Sequence, residues 1–252
     1  MSAAPQDSSP ATGLPDQRQS ALGYYAAIFA LGLAAAVFGP TLPGLAQHTH
    51  TDLRTVSVLL TARAFGYLLG SMQSGRWYDH WPGPAVLAAG LLLMALTMVL
   101  TPFMSVLGAL TAVLLALGVA DGLVDVGSNT LLVWVYRDNV GPWMNGLPFF
   151  FGLGALLAPV VVAQAMAISG EMAGAYWALA GLMVPGAVWL CRLPSPPVPT
   201  GPPDGSAAQR NHVPVVLIAL FTALYVGAEV GFGGWLFSYA VALNLSDAPG
   251  AA

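Results

Sequence analysis

The hydrophobic positions of this chain fall in long runs, broken by short polar or turn-forming stretches. A membrane-spanning helix needs about 20 mostly apolar residues. Seven segments qualify, at residues 22–45, 54–75, 84–102, 105–135, 143–168, 174–193 and 213–242. The breaks read "QHTHTD", "DHWPGP", "TPF", "YRDNVGP", "SGEMAG" and the Pro-rich "LPSPPVPTGPPDGSAAQRNH". Such stretches carry turn chemistry, and the last reads as a linker. Pro84, Pro142 and Pro214 each sit just inside an expected helix start, where a missing N–H costs nothing. The pattern predicts an all-α integral membrane protein. Residues 1–21 read as a disordered tail, 22–193 as a six-helix transmembrane bundle, 194–212 as a cytoplasmic linker, and 213–252 as a region holding one more helix.

Composition supports the membrane class. Hydrophobic residues make up 57% of the 252 positions and charged residues 7%, against about 25% charged in soluble domains. The first apolar run is too long for a signal-peptide core and reads as a retained helix. A net charge of −4 leaves no basic patch, so nucleic acid is not an expected partner. Cys191 is the single cysteine, which excludes an internal disulfide or a CxxC site. The lack of lysine beside abundant Ala, Gly and Pro points to a GC-rich bacterial genome and a bacterial plasma membrane. Arg18, Arg76, Arg137, Arg192 and Arg210 fall on one side of the spans, and Arg54 alone flanks the other. The positive-inside rule then places the N-terminus and the long linker in the cytoplasm.

The candidate chemistry lies inside the spans. Asp121 and Asp125 interrupt the fourth apolar run in "ADGLVDVGSN". Four residues apart, they share one helix face, and Asn129 continues the stripe. A charge at mid-bilayer costs at least ~2.5–3.5 kcal/mol on insertion scales. Arg63 lies near the middle of the second span and Glu229 near the middle of the seventh. Four ionisable groups at similar depth predict one polar cavity. One arginine cannot neutralise three carboxylates, and an excess of acid is what a proton or cation path needs. A structural ion pair between Arg63 and an aspartate is the alternative. Gln164, Tyr225 and Trp235 are further candidates for the pathway; the two aromatics offer either a sugar-stacking face or interface anchors. Gly66/Gly70, Gly118/Gly122, Gly152/Gly154 and Gly227/Gly231 suit close helix packing. His48 and His50 have no third partner for a metal site, and no cofactor is implied. An intramembrane enzyme needs a nucleophile–base pair or a metal cluster within the spans, and neither is seen.

Three stretches resemble the major facilitator superfamily, in its fucose–proton symporter and sodium-dependent glucose transporter branch. The second span reads "RAFGYLLGS", followed by Gly75-x-x-x-Asp79. The fourth and fifth read "DVGSNTLL" and "PWMNGLPFFFGLGALLAP", and the seventh "YVGAEVGFGGWLFSYA". The resemblance implies two six-helix bundles, with a solute cavity lined by the first, fourth, seventh and tenth helices. It implies alternating access, a small polar substrate such as a sugar, and proton or sodium as coupling ion. It makes Asp125 a protonation site and Asn129 a partner for sugar hydroxyls. It also assigns Gly75, Arg76, Asp79 and Gly83 to a cytoplasmic gating loop. The symporters' second acid, on the first helix, falls at Gly39 here, leaving sodium coupling and facilitated diffusion open as well. Set against a twelve-helix family, these 252 residues read as a truncated form. The alternatives are a non-transporting membrane protein and a seven-helix receptor. A retinal pump drops out, since there is no lysine for a Schiff base.

Overall fold

The structure is a computed structural model that describes residues 14–198 and, further on, residues 213–214, 216–218, 220–221, 224–225 and 227–228. The chain divides into two units, Met1–Val198 and Pro199–Ala252. The described positions of the second unit are helical. The first unit is a helix bundle. Its α-helices are α1 (Leu14–Ala36), α2 (Phe38–His48), α3 (Leu53–Val56), α4 (Val58–His80), α5 (Gly83–Leu100), α6 (Leu107–Tyr136), α7 (Gly141–Met144), α8 (Gly146–Ser169) and α9 (Met172–Leu190). Short 3-10 turns follow α5 and α6. α1 begins inside the stretch expected to be tail, with no breaker after Pro15 to stop it.

By length and composition, helices at Gln17–Ala36, Gly83–Phe103, Leu107–Asn139, Gly141–Ser169 and Met172–Leu190 suffice to cross a membrane. α4 has the length, at 23 residues, but its apolar character is diluted by Arg63, Arg76, Asp79, Gln73 and His80. It packs along α6 within the same bundle. The first span is not one helix. Pro40 has no N–H to offer the carbonyl of Ala36, and the hydrogen-bonded run breaks at Val37 with helical dihedrals kept (φ −64°, ψ −30°).

Glycines set the closest approaches. A Cβ on Gly118 would lie 2.0 Å from the Arg63 carbonyl oxygen, and one on Gly66 would lie 2.1 Å from that of Leu115. α4 and α6 therefore touch backbone to backbone. The same reciprocal contact joins α1 and α8: a Cβ on Gly32 would lie 2.1 Å from the Phe151 carbonyl oxygen, and one on Gly154 would lie 2.2 Å from that of Phe29. In each case the glycine meets the carbonyl three residues before its partner glycine. The lead-in to each long helix also repeats. α3, Ser57, α4 and α7, Asn145, α8 are matched element for element, 88 residues apart (145 − 57, and 154 − 66 for the glycines). α5 pairs with α9, so the first three spans recur as the second three. Leu33, Leu45, Leu87, Leu91, Met94, Leu110 and Leu114 fill the core between them, fully buried.

The stretch expected as a gating loop needs correction. Gly75, Arg76 and Asp79 lie within α4, which runs on to His80. Nothing from Arg76 to His80 breaks a helix; Pro82 does, by pushing the residue before it out of the helical region. Trp81 is accordingly extended, at φ −121° and ψ 154°. Gly83 opens α5, with its amide donating to Ser195 Oγ at 3.3 Å.

Candidate functional site: a charged seam between two parallel helices

α4 and α6 meet face to face at mid-span, and polar side chains cross at two successive levels. At the first, Arg63 Nε donates to Asp121 Oδ2 at 2.6 Å, with side-chain exposures of 14% and 5%. At the second, Tyr67 Oη donates to Asp125 Oδ2. Both partners lie 58 residues apart (121 − 63 and 125 − 67). A constant difference means that the helices run parallel, as the second and fourth spans of an alternating chain must. Each step of four residues advances both by one turn. Asn129 Nδ2 adds bonds to Asp125 Oδ1 at 3.1 Å and to the Asp125 carbonyl at 3.0 Å.

The glycines allow this geometry. Gly118 and Gly122 lie one turn apart on α6, against the backbone of Arg63, Tyr67 and Ser71. With backbones this close, Arg63 need not extend to reach Asp121. Its guanidinium also lies 4.9 Å over the ring of Phe38, just past the break in the first span, which is cation–π geometry. Phe38 meets Tyr176 edge-on at 6.2 Å, and the Tyr176 hydroxyl lies 2.8 Å from Thr41 Oγ1. Four helices (α2, α4, α6 and α9) thus converge on the first level.

The charges do not balance. One guanidinium faces two carboxylates. Among the described residues, Asp121 Oδ1 is buried without a hydrogen-bond partner. A buried pair is held at a large desolvation cost, and removing one member strands the other. Asp125 is only partly buried and takes its bonds from neutral donors. The arrangement sets two carboxyl groups against one guanidinium at mid-span, one bonded to arginine and the other held by a phenol and an amide.

Of the residues singled out from sequence, Arg63, Asp121, Asp125 and Asn129 come together here. Gln164 stands exposed on α8, which packs on α1 and α9 rather than on α4 or α6. Arg76 and Asp79 are exposed near the end of α4, and Gly83 is buried under Leu131. Tyr225 is exposed within the second unit, while Glu229 and Trp235 lie outside the described residues. Sequence reasoning missed Tyr67 and Phe38 as partners of the charged groups. For Tyr67 a signal existed: it follows Arg63 by the same four residues that separate the two aspartates. Among the described residues no cluster of three or more His, Cys, Asp or Glu could hold a metal ion.

Comparison with known proteins places these residues in a family. The profile of the Major Facilitator Superfamily matches residues 24–252. The chain is 28% identical over 268 residues to sodium-dependent glucose transporter 1A of Mus musculus, covering 90% of this chain and 63% of that protein. It is 27% identical over 253 residues to sodium-dependent glucose transporter 1 of Homo sapiens, covering 85% of this chain and 49% of that protein. Major facilitator superfamily domain-containing protein 4A of Xenopus tropicalis is 33% identical over 144 residues, covering 57% of this chain and 29% of the relative. The chain spans between about half and two thirds of the length of these two glucose transporters.

Proposed function

The chain belongs to the Major Facilitator Superfamily, and from that premise we propose that the protein is a secondary active transporter moving a small polar solute, a sugar, by alternating access with a cation as driver. The observation that carries the reading is the uncompensated carboxylate at mid-span. Asp121 is neutralised by Arg63; among the described residues, the side chains bonded to Asp125 are neutral. A carboxylate at that depth stays charged only with water, a cation or hydrogen-bond donors beside it. The names of the glucose transporters above support both the sugar and sodium as coupling ion; a proton fits the same site. In this reading Asp125 takes up the coupling ion, Asn129 and Tyr67 hold its carboxylate and offer hydroxyl partners, and Glu229, Tyr225 and Trp235, singled out from the sequence, are further candidates for solute contact. Gly75, Arg76 and Asp79 at the end of α4, with Gly83 at the start of α5, form the cytoplasmic gate. The N-terminus is cytoplasmic and the location the plasma membrane.

Proteoliposomes holding the full-length protein test this. Labelled glucose should accumulate against its gradient when sodium or protons are high on the outer side. Asp125→Asn keeps the shape and removes the charge, so it should abolish accumulation and spare glucose exchange. Failure of wild-type vesicles to accumulate sugar under either gradient would overturn the reading. Unchanged accumulation by Asp125→Asn would remove Asp125 from the mechanism.

A further inference from the structure

We propose that Arg63 is a positioning residue that latches the outer segment of the first span, α2, to Asp121 through the ring of Phe38, with Val37 as the pivot. This concerns the mechanics of the bundle and holds whichever solute is carried.

The pivot has its origin in two prolines. Pro40 removes the hydrogen bond to the Ala36 carbonyl, and Pro43, within α2, removes the one to Gly39. Val37 keeps helical dihedrals, so the break is a missing bond rather than a turn, and small changes in φ and ψ there move the start of α2. Gly39 stands close to the pivot, and a Cβ there would meet nothing within 4 Å among the described residues. Proline kinks of this kind are the usual places where a helix bends.

The latch is a chain of three side chains. Phe38 is the first residue of α2 and is buried at 3% exposure. One face of its ring receives the Arg63 guanidinium at 4.9 Å. The same guanidinium is held by Asp121 through Nε. Arg63 therefore joins a segment beyond the pivot to a charge below it, from a third helix that touches both. α2 has a second hold, on α9: Thr41 Oγ1 lies 2.8 Å from Tyr176 Oη, and Gly44 is covered by the Met172 sulfur. Those two contacts lie farther along α2, and the Phe38 ring also meets Tyr176 edge-on, so loss of the ring or of the guanidinium on its face loosens the pivot end. Because a cation–π contact needs the guanidinium held in place, the setting of α2 depends on the Arg63–Asp121 pair being intact.

The test reads the position of α2 directly. Spin labels go at Gly39→Cys, at the pivot end of α2, and Leu96→Cys on α5, both exposed, in a Cys191→Ser background, and distances are measured by double electron–electron resonance. A control pair uses Leu22→Cys, on α1 before the pivot, with Leu96→Cys. The parent protein should give one narrow distribution for each pair. Arg63→Leu with Asp121→Asn leaves no stranded charge, and should at least double the width for the α2 pair while the α1 pair stays narrow. Phe38→Leu keeps the ion pair and should have the same effect; Phe38→Trp should restore the narrow distribution. If Phe38→Leu leaves the α2 distribution unchanged, the relay through the ring is wrong. If both pairs broaden together, Arg63 only supports the bundle and the latch is also wrong.

Discussion

The α4–α6 pair and the α1–α8 pair are built on one backbone plan with different chemistry. Each brings two parallel helices together through reciprocal glycine–carbonyl contacts, Gly66 with Gly118 and Gly154 with Gly32. Superposing the plans matches Arg63 with Phe151 and Asp121 with Ala35, each three residues from its glycine. Asp125 then matches Gly39. One pair holds its seam with charge. The other holds it with aromatics: Tyr25 stacks on Phe150 at 4.9 Å, and its hydroxyl donates to the Trp143 carbonyl at 2.7 Å. Internal three-helix repeats within each half are a feature of this transporter fold. The glycine contacts therefore make the scaffold, and the seam chemistry was free to diverge once that scaffold existed. The chain has put all of its described mid-span charge on one of two equivalent seams.

The largest effect should come from disrupting the charged seam. Arg63→Leu strands Asp121 at 5% side-chain exposure, and losing one member of a buried pair costs ~3–5 kcal/mol. The melting temperature in detergent should fall sharply, and adding Asp121→Asn should recover much of the loss. At the matching position Phe151→Leu should cost far less, since Phe151 is 38% exposed. If Arg63→Leu and Phe151→Leu melt alike, the charged seam is no different from its apolar counterpart.

The next effect should be shared by both pairs. A methyl at Gly118 or Gly32 meets a backbone carbonyl, which cannot rotate away as a side chain can. Gly118→Ala and Gly32→Ala should each cost on the order of 1–3 kcal/mol, the range for overpacking. Gly39→Ala has open space and should instead gain up to ~1 kcal/mol from helix propensity. Thermal melts of the three variants check this, and a clear cost at Gly39 with none at Gly118 would undo the scaffold assignment.

Much of the charged seam is legible in the amino-acid pattern alone. Arg63, Asp121 and Asp125 stand out because ionisable groups are rare in apolar runs, and the four-residue step puts the aspartates on one face. The partner of each is not legible, because a helix pattern fixes faces but not which helices meet. Tyr67 hides for a different reason. A tyrosine in an apolar run usually packs, and only the equal spacing along two parallel helices marks it as a partner. The repeat of three spans is invisible because what recurs is a backbone contact that demands only small residues. Position by position the residues differ, with Arg63 against Phe151 and Asp52 against Val140. The end of α4 is misplaced by sequence reasoning because Gly75, Arg76 and Asp79 are polar enough to suggest a loop, yet no residue there stops a helix before Pro82.

A smaller effect is expected at the second level of the seam. Tyr67→Phe removes one hydrogen bond to Asp125. Bonds to charged groups contribute ~1.5–3 kcal/mol when buried, but Tyr67 is 40% exposed. A loss of about 1 kcal/mol or less is expected in a denaturant titration, well under that of Arg63→Leu. A loss as large as that of Arg63→Leu would mean that the two levels are equally dry.

The smallest effect concerns the short turns leading into α4 and α8, where the two halves differ by a single cap. Thr55 and Trp143 hold equivalent positions, 88 residues apart (143 − 55). The Thr55 amide donates to the side chain of Asp52, at 2.8 Å from Oδ1, while the Trp143 amide donates to the backbone carbonyl of Val140 at 3.0 Å. Asp52 is thus an N-cap, and the side chain of its counterpart Val140 has no acceptor to offer. Hydrogen bonds from the Thr55 side chain and amide hold the Asp52 carboxyl below the ordinary carboxylate range. A carboxyl depressed in the folded state contributes stability above its unfolded value, and that contribution is lost as pH falls through the folded value. The cap at α3 should therefore be intact at neutral pH and weaken in acid, while the turn before α8 should not respond. Amide hydrogen exchange reads both sites in one sample, so the ratio of Thr55 to Trp143 exchange cancels the intrinsic pH dependence. That ratio should rise as pH falls through the acid range, and Asp52→Asn should flatten it. A ratio constant with pH in the parent protein would show that the Asp52 side chain does not hold the Thr55 amide, and that the turns before α4 and α8 are equivalent in chemistry as well as in backbone.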